Sequence, residues 1–134
     1  GGVRGGTVVE NPAMSMDLFP TLLEMAGIPE RPEQHIDGSS LIGAMTVGTG
    51  AREALHWHFP HYHGSGNRPG GAIRVGDLKL VEWFEDGAVE LYDLSDDISE
   101  RHDLSGERPA DTARLLAALR AWRQEVGANM PGEG

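Results

Sequence analysis

The sequence predicts an α+β fold, a small antiparallel sheet of about four strands packed on a C-terminal amphipathic helix. Three features predict it. Short apolar runs between residues 53 and 92 alternate with polar residues and are separated by Gly-Asp and Glu-Asp-Gly, the period and punctuation of paired strands. Residues 109–127 change to helical spacing. Ahead of both, residues 1–50 carry a helix of their own and no strand pattern.

In "SMDLFPTLLEMAGIP" (15–29), Ser15 or Asp17 is placed to accept backbone N–H groups at a helix start. Pro20 lies within the first turn, where its missing donor costs little. Gly27 suits the left-handed residue that closes a helix, and Pro29 prevents its continuation. Leu18, Leu22, Met25 and Ala26 share a face, with Phe19 and Leu23 beside it. More than half the circumference is apolar, which predicts a helix wedged between two bodies rather than lying on a small domain. After a proline-rich loop, Asp37-Gly38 marks a turn, and Ser39 or Ser40 caps one helical turn bearing Leu41, Ile42 and Met45. "TVGTGAR" (46–52) reads as a flexible link.

"EALHWHF" (53–59) reads as a strand with Leu55, Trp57 and Phe59 on one face and His56 and His58 on the other. "PHYHGSGNRPGG" (60–71) is a loop with a polar, aromatic and cationic lining. Strands 72–75 and 78–84 flank Gly76-Asp77 in a hairpin, and Glu85-Asp86-Gly87 leads into strand 88–92. Residues 93–109 form an acidic, solvated loop. Pro109 and Asp111 begin the last helix and Gly127 ends it; Leu115, Leu116, Leu119, Trp122 and Val126 make its buried stripe.

A two-residue turn at 76–77 pairs Val75 with Leu78, Ile73 with Leu80 and Arg74 with Lys79. Like charges opposed across a sheet are destabilising. A three-residue turn at 85–87 would pair Trp83 with Val89, Val81 with Leu91 and Lys79 with Asp93, so Asp93, with the acidic 96–100 loop nearby, would offset the repulsion. A slip of one residue would undo that pairing, because every side chain would change face.

The 134 residues suffice for one modest core. With 19 glycines and 8 prolines, turns and loops claim much of the length. A formal charge of −10 disfavours nucleic acid and anionic lipid as partners. No apolar run approaches the roughly 18 residues of a membrane span. The opening "GGVRGGTVVE" has no signal-peptide pattern and reads as the interior of a longer chain. Without cysteine there is no thiolate nucleophile and no Cys-ligated metal.

Four of the six histidines fall in "HWHFPHYHG" (56–64). His56-x-His58 and His61-x-His63 have imidazoles for zinc or copper, but they lack helical i, i+4 placement and a nearby carboxylate. A substrate-contacting rim and plain packing are the other readings. No Gly-x-Ser-x-Gly occurs, and Gly64-Ser65-Gly66 lacks the strand-turn-helix context of an activated serine. There is no phosphate-binding Gly-x-x-x-x-Gly-Lys, and "SDDISE" lacks the order of a calcium-binding EF-hand loop. Local chemistry supplies no complete active site.

Taken together, "GGVRGGTVVENPAMSMDLFPTLLEMAG", "HIDGSSL", "LHWHFPHY", "AIRVGDLKLVEW" and "ELYDLSDDISERHDLS", followed by a helix with Trp122, resemble the C-terminal part of a formylglycine-dependent sulfatase of the alkaline phosphatase superfamily. The resemblance implies that residues 1–50 are an arm and helix leading out of an α/β catalytic domain, and that 51–134 are the C-terminal subdomain. It implies a sulfated carbohydrate or aryl sulfate as substrate and the catalytic domain as partner. The formylglycine and calcium of such enzymes are expected in that N-terminal domain; this chain has no Cys/Ser-x-Pro-x-Arg stretch, and no catalytic or metal position carries over to it. His58, His61, His63 and Arg68 are the residues expected to border the substrate cleft, unless their loop only seals a domain interface. Phosphoric or phosphonic ester hydrolysis within the same superfamily is the neighbouring expectation. A freestanding module binding carbohydrate or another acidic ligand is the non-catalytic one. The apolar helix 18–26 further predicts that the chain by itself is poorly soluble or marginally folded.

Overall fold

The structure, a computed structural model, describes residues 3–34, 37–49, 52–64, 66 and 68–132. Ser65 of the Gly-Ser-Gly stretch, His35 and Ile36 of the "HIDGSSL" piece, and Gly50 and Ala51 of the 46–52 link lie outside these residues. The chain divides into two units, up to Arg52 and from Glu53 onward.

In the first unit, a 3₁₀ turn at Ser15–Asp17 runs into α1 (Leu18–Met25), and α2 spans Ile42–Val47. Neither Ser15 nor Asp17 caps α1 through its side chain. Instead the Asp17 carboxylate, buried to 1% exposure, accepts N–H groups from Met14 at 2.8 Å and Ser39 at 2.9 Å, and pairs with Arg52. Burial raises its pKa, but the bonds from Arg52, Met14 and Ser39 outweigh that and lower it. Thr21 donates to the Asp17 carbonyl at 2.6 Å and accepts from Leu41 N–H at 2.9 Å. The Asp-x-x-Pro-Thr pattern is therefore a clasp that ties residues 37–41 to the helix. Gly38 closes it: a Cβ there would collide with the Met16 carbonyl oxygen. Leu41, not Ser39 or Ser40, is the N-cap of α2 and no side chain caps it; Ser40 Oγ accepts from Ile42 N–H at 3.2 Å in a local turn just ahead of the helix. The apolar face of α1 is exposed at Leu18, Phe19, Leu22 and Met25.

The second unit is an antiparallel meander of β1 (Leu55–Phe59), β2 (Gly70–Val75), β3 (Leu78–Trp83) and β4 (Val89–Asp93), in that order across the sheet, followed by α3 (Pro109–Glu125). Ile73, Leu80 and Leu91 from one sheet face meet Leu115 and Leu119 of α3 to form the core. Leu116 and Trp122 pack at its margin, whereas Val126, expected in the buried stripe, is 50% exposed just past the helix end.

Gly76, at φ 59°, makes the tight turn that sets Arg74 opposite Lys79. The next turn departs from expectation. Glu82 pairs with Val89, Leu80 with Leu91 and Lys79 with Tyr92, one residue away from the anticipated register. Four residues, 84–87, make this turn, with Asp86 accepting Ala88 N–H at 3.0 Å and Gly87 at φ 70°. The physical reason is burial: this register puts Leu91 on the same face as Leu80 and Ile73, whereas the other would have turned it outward. Asp93 thus pairs with Leu78 in the ladder and bonds Arg108 at 3.2 Å. Lys79 is neutralised by Glu100, whose oxygens lie 2.6 and 2.8 Å from Nζ, and Arg74 donates to the Gly76 carbonyl at 2.8 Å.

The acidic loop is organised by its carboxylates rather than merely solvated. Asp97 accepts the N–H groups of Arg101 and His102 at 2.6 and 2.8 Å. Asp103 accepts those of Leu91 and Ser105 at 3.0 and 2.8 Å, which ties the loop to the edge of β4. Glu100, at φ 53°, takes a conformation uncommon outside glycine as it turns toward Lys79.

Candidate functional site

Alternation along the strands gives the sheet a closed face under α3 and an open one. On the open face Trp57, Phe59, Ala72, Val81 and Trp83 line a cavity of about 550 Å³, edged by Arg68, Lys79, Glu90 and Glu100. That volume is typical of small-ligand sites. Trp57 and Phe59 are 40% and 41% exposed. Arg68 lies over the Trp83 ring, 4.9 Å from its centroid, and donates to Glu85 at 2.7 Å and Asp86 at 2.9 Å. Tyr62 also donates to Glu85, at 2.8 Å. Bonds from Tyr62 and then Arg68 lower the Glu85 pKa, so this carboxylate is ionised at neutral pH. Tyr92 donates to Glu90 at 3.0 Å; burial first, and the Glu90 bond second, push its phenol up to about 12.

The four anticipated cleft residues occupy different settings. His58 lies on the closed face. Its Nε2 is 2.8 Å from the Asn129 carbonyl, which can only accept, so Nε2 carries a proton, and the buried Nδ1 has no hydrogen-bond partner. The His58 ring also leans on Phe84, at 5.4 Å between centroids. His61 and His63 are exposed on the loop after β1, His61 edge-on to Phe59 at 5.9 Å. Arg68 faces the open side, with its charge already offset by Glu85 and Asp86. His58 and Arg68 are thus on opposite faces of the sheet.

His56 shares the closed face with His58 and stacks on Trp122 at 4.6 Å and 11°. Burial lowers its pKa, opposed in part by Glu125. Deeper on that face, the Glu82 carboxylate, 5% exposed, accepts from Arg120 Nε at 3.0 Å and pairs with Arg123, itself 7% exposed and 5.0 Å above the Phe84 ring. This trio was not anticipated. Its signal was a glutamate two residues from Leu80 on a core-facing phase, opposite arginines flanking Leu119 at helical spacing.

Among the described residues, no three His, Cys, Asp or Glu side chains are grouped so as to hold a metal ion, and no helix is long and apolar enough to cross a membrane. The second unit has the architecture of a sheet-and-helix module with one closed side packed under α3 and one aromatic, polar-edged open side.

Comparison with known proteins supplies the class. The N-sulphoglucosamine sulphohydrolase C-terminal family matches residues 1–125, and the chain belongs to that family, a C-terminal sulfatase region. A sulfatase of Formosa agariphila is 36% identical over 123 residues, 81% of this chain and 22% of the relative. Arylsulfatase K of Danio rerio is 29% identical over 131 residues, 88% and 24% of the two chains. The chain therefore spans about a quarter of the length of these relatives. A solved structure of a protein in complex with its substrate D-glucosamine-2-N,6-O-disulfate has a TM-score of 0.79 at 23% identity, over 96% of this chain and 27% of that one, a likeness of fold.

Proposed function

We propose that this chain is the C-terminal part of a sulfuric ester hydrolase acting on sulfated carbohydrate or aryl sulfate, where it packs against a catalytic domain and borders the substrate cleft. The family match across residues 1–125 carries this reading. The sulfated-sugar complex of the structural relative supports a sulfated saccharide as the substrate class. Formylglycine and calcium do not fit the residues present: the sequence has neither a cysteine nor a Cys/Ser-x-Pro-x-Arg stretch, and no suitable ligand group occurs among the described residues. Both belong, in this reading, to sequence outside the chain, and no chemical step is assigned to residues within it.

What the chain contributes is position. His61 and His63, exposed on the 60–64 loop, offer imidazole donors and acceptors to sugar hydroxyls and acid groups. Arg68, held by Glu85 and Asp86, presents a fixed guanidinium edge beside them in sequence. His58 anchors the end of β1 through Asn129 and so sets where that loop begins.

The test uses the full-length protein. Release of sulfate from N- and O-sulfated glucosamine saccharides and from an aryl sulfate is expected, with phosphate and phosphonate esters assayed alongside. His61→Ala and His63→Ala should raise KM for the saccharide about tenfold, a change of roughly 1.4 kcal/mol, with a smaller effect on the aryl ester. Turnover of phosphonate esters alone would move the protein to the neighbouring class of ester hydrolases.

A further inference from the structure

We propose that the open face of the sheet is a subsite for an unsulfated stretch of glycan. The aromatic platform comes first. Trp57 and Phe59 are two residues apart on edge strand β1, so they project from the same face about 7 Å apart, and both are exposed. Ring faces presented in this way suit the C–H faces of pyranose rings. Ala72 and Val81 form a shallow floor beside them.

The cavity's polar edge favours hydroxyl groups over an apolar partner. Arg68 and Lys79 supply donors, and Glu90 and Glu100 supply acceptors. All four are already oriented: Arg68 by Glu85 and Asp86, Lys79 by Glu100 at 2.6 Å, and Glu90 by Tyr92 at 3.0 Å. A sugar hydroxyl both donates and accepts, so it can join each of these pairs without breaking it. A core-like protein surface laid on the same face would desolvate these charges without replacing their contacts to water.

Charge then selects the kind of sugar. On the lining, Glu90 and Glu100 stand against Arg68 and Lys79, and both cations are already paired, so a sulfate group would be desolvated there without an unpaired counter-charge. A neutral portion of a partly sulfated chain meets the aromatic and hydrogen-bonding requirements without that penalty.

The choice of glycan as ligand class rests on the proposed function, and the experiment keeps the two apart. Full-length protein is titrated with neutral tetrasaccharides of N-acetylglucosamine and of galactose and with a sulfated counterpart, read by tryptophan fluorescence, while sulfate release is assayed on the same preparation. Saturable binding of a neutral oligomer is expected, weakened at least tenfold by Trp57→Ala and by Phe59→Ala, retained within threefold by Trp57→Phe, and weaker for the sulfated counterpart. Absence of binding by both neutral oligomers, or unchanged affinity in Trp57→Ala, overturns the inference even if sulfate is released. Collapse of the fold in both Trp57 variants also overturns it, since the face would then be a buried interface. Binding without sulfate release leaves the subsite standing and removes the hydrolase reading.

Discussion

Leu80 and Val81 are adjacent in β3, yet Leu80 is fully buried beneath α3 and Val81 lines the open cavity. The same division runs through the whole sheet. On the closed face the charged and polar groups that enter are held within the chain: Glu82 meets Arg120 and Arg123, and His58 Nε2 meets the Asn129 carbonyl. On the open face the charged pairs sit at the edge and leave aromatic rings in the middle facing outward. The difference teaches that one face stabilises the unit while the other is left available for contact. A buried pair tolerates no vacancy, whereas an exposed pair can be remade with water or a ligand.

The largest expected effect tests the closed face. Glu82→Ala leaves Arg123 buried without a counter-charge and should destabilise by about 3–5 kcal/mol in urea unfolding of the intact protein. Arg120→Ala, at the exposed end of the same network, should cost only about 0–1 kcal/mol. Equal losses would mean that the network is not divided between a buried and an exposed arm.

Leu119→Ala should follow, at about 2–5 kcal/mol, because Leu119 is fully buried in the core. Trp57→Ala on the open side should cost about 1 kcal/mol or less if that face is solvent-accessible in the intact protein. A comparable loss at both positions would erase the distinction between the faces.

Acid should distinguish the two sides more gently. The folded-state pKa of His56 lies below its unfolded value of 6.5, so the unfolded chain takes up the proton first. Its stabilising contribution is complete above pH 6.5 and falls as pH drops through the lower folded-state value. His56→Phe, which keeps a ring against Trp122, should flatten the decline in urea midpoint between pH 7 and 5. A second decline, beginning below about pH 3.8, belongs to the carboxylates of the acidic loop. Bonds from Ser95 lower Asp93, and the His102 N–H lowers Asp97; at Asp103, burial acts upward but the Leu91 and Ser105 bonds prevail. An unchanged pH profile in His56→Phe would exclude that histidine as the source of the upper decline.

The smallest effect concerns the facing cations. Glu100→Gln removes the counter-charge of Lys79 opposite Arg74 and should cost about 0–1 kcal/mol, with the loss shrinking at high salt. A loss of several kcal/mol, independent of salt, would place this pair among the closed-face interactions.

How much of this was legible follows from how far apart the deciding residues are. The first hairpin was read with its register because Gly76-Asp77 fixes the turn locally and Ile73 and Leu80 agree with it. The second was read one residue out because Glu85-Asp86-Gly87 suits more than one turn length, and the choice belongs to Leu91, which must join Leu80 under α3. Asp17 was visible as a carboxylate near a helix start, but its partners Ser39 and Arg52 lie 22 and 35 residues away. The histidine-rich stretch was visible as chemistry; which imidazoles turn inward depends on the Asn129 carbonyl and on Trp122, supplied by the far end of the chain.

By itself, the sequence determined the α+β class, the strands, the long helix and the sulfatase resemblance, because period, turn residues and motifs act over a few neighbouring positions. Tertiary structure alone decided the second register, the partner of Lys79, the inward turn of His58 and the line between closed and open faces. Those outcomes depend on which side of the sheet α3 covers, and burial there outweighs the local preferences of turns and charges.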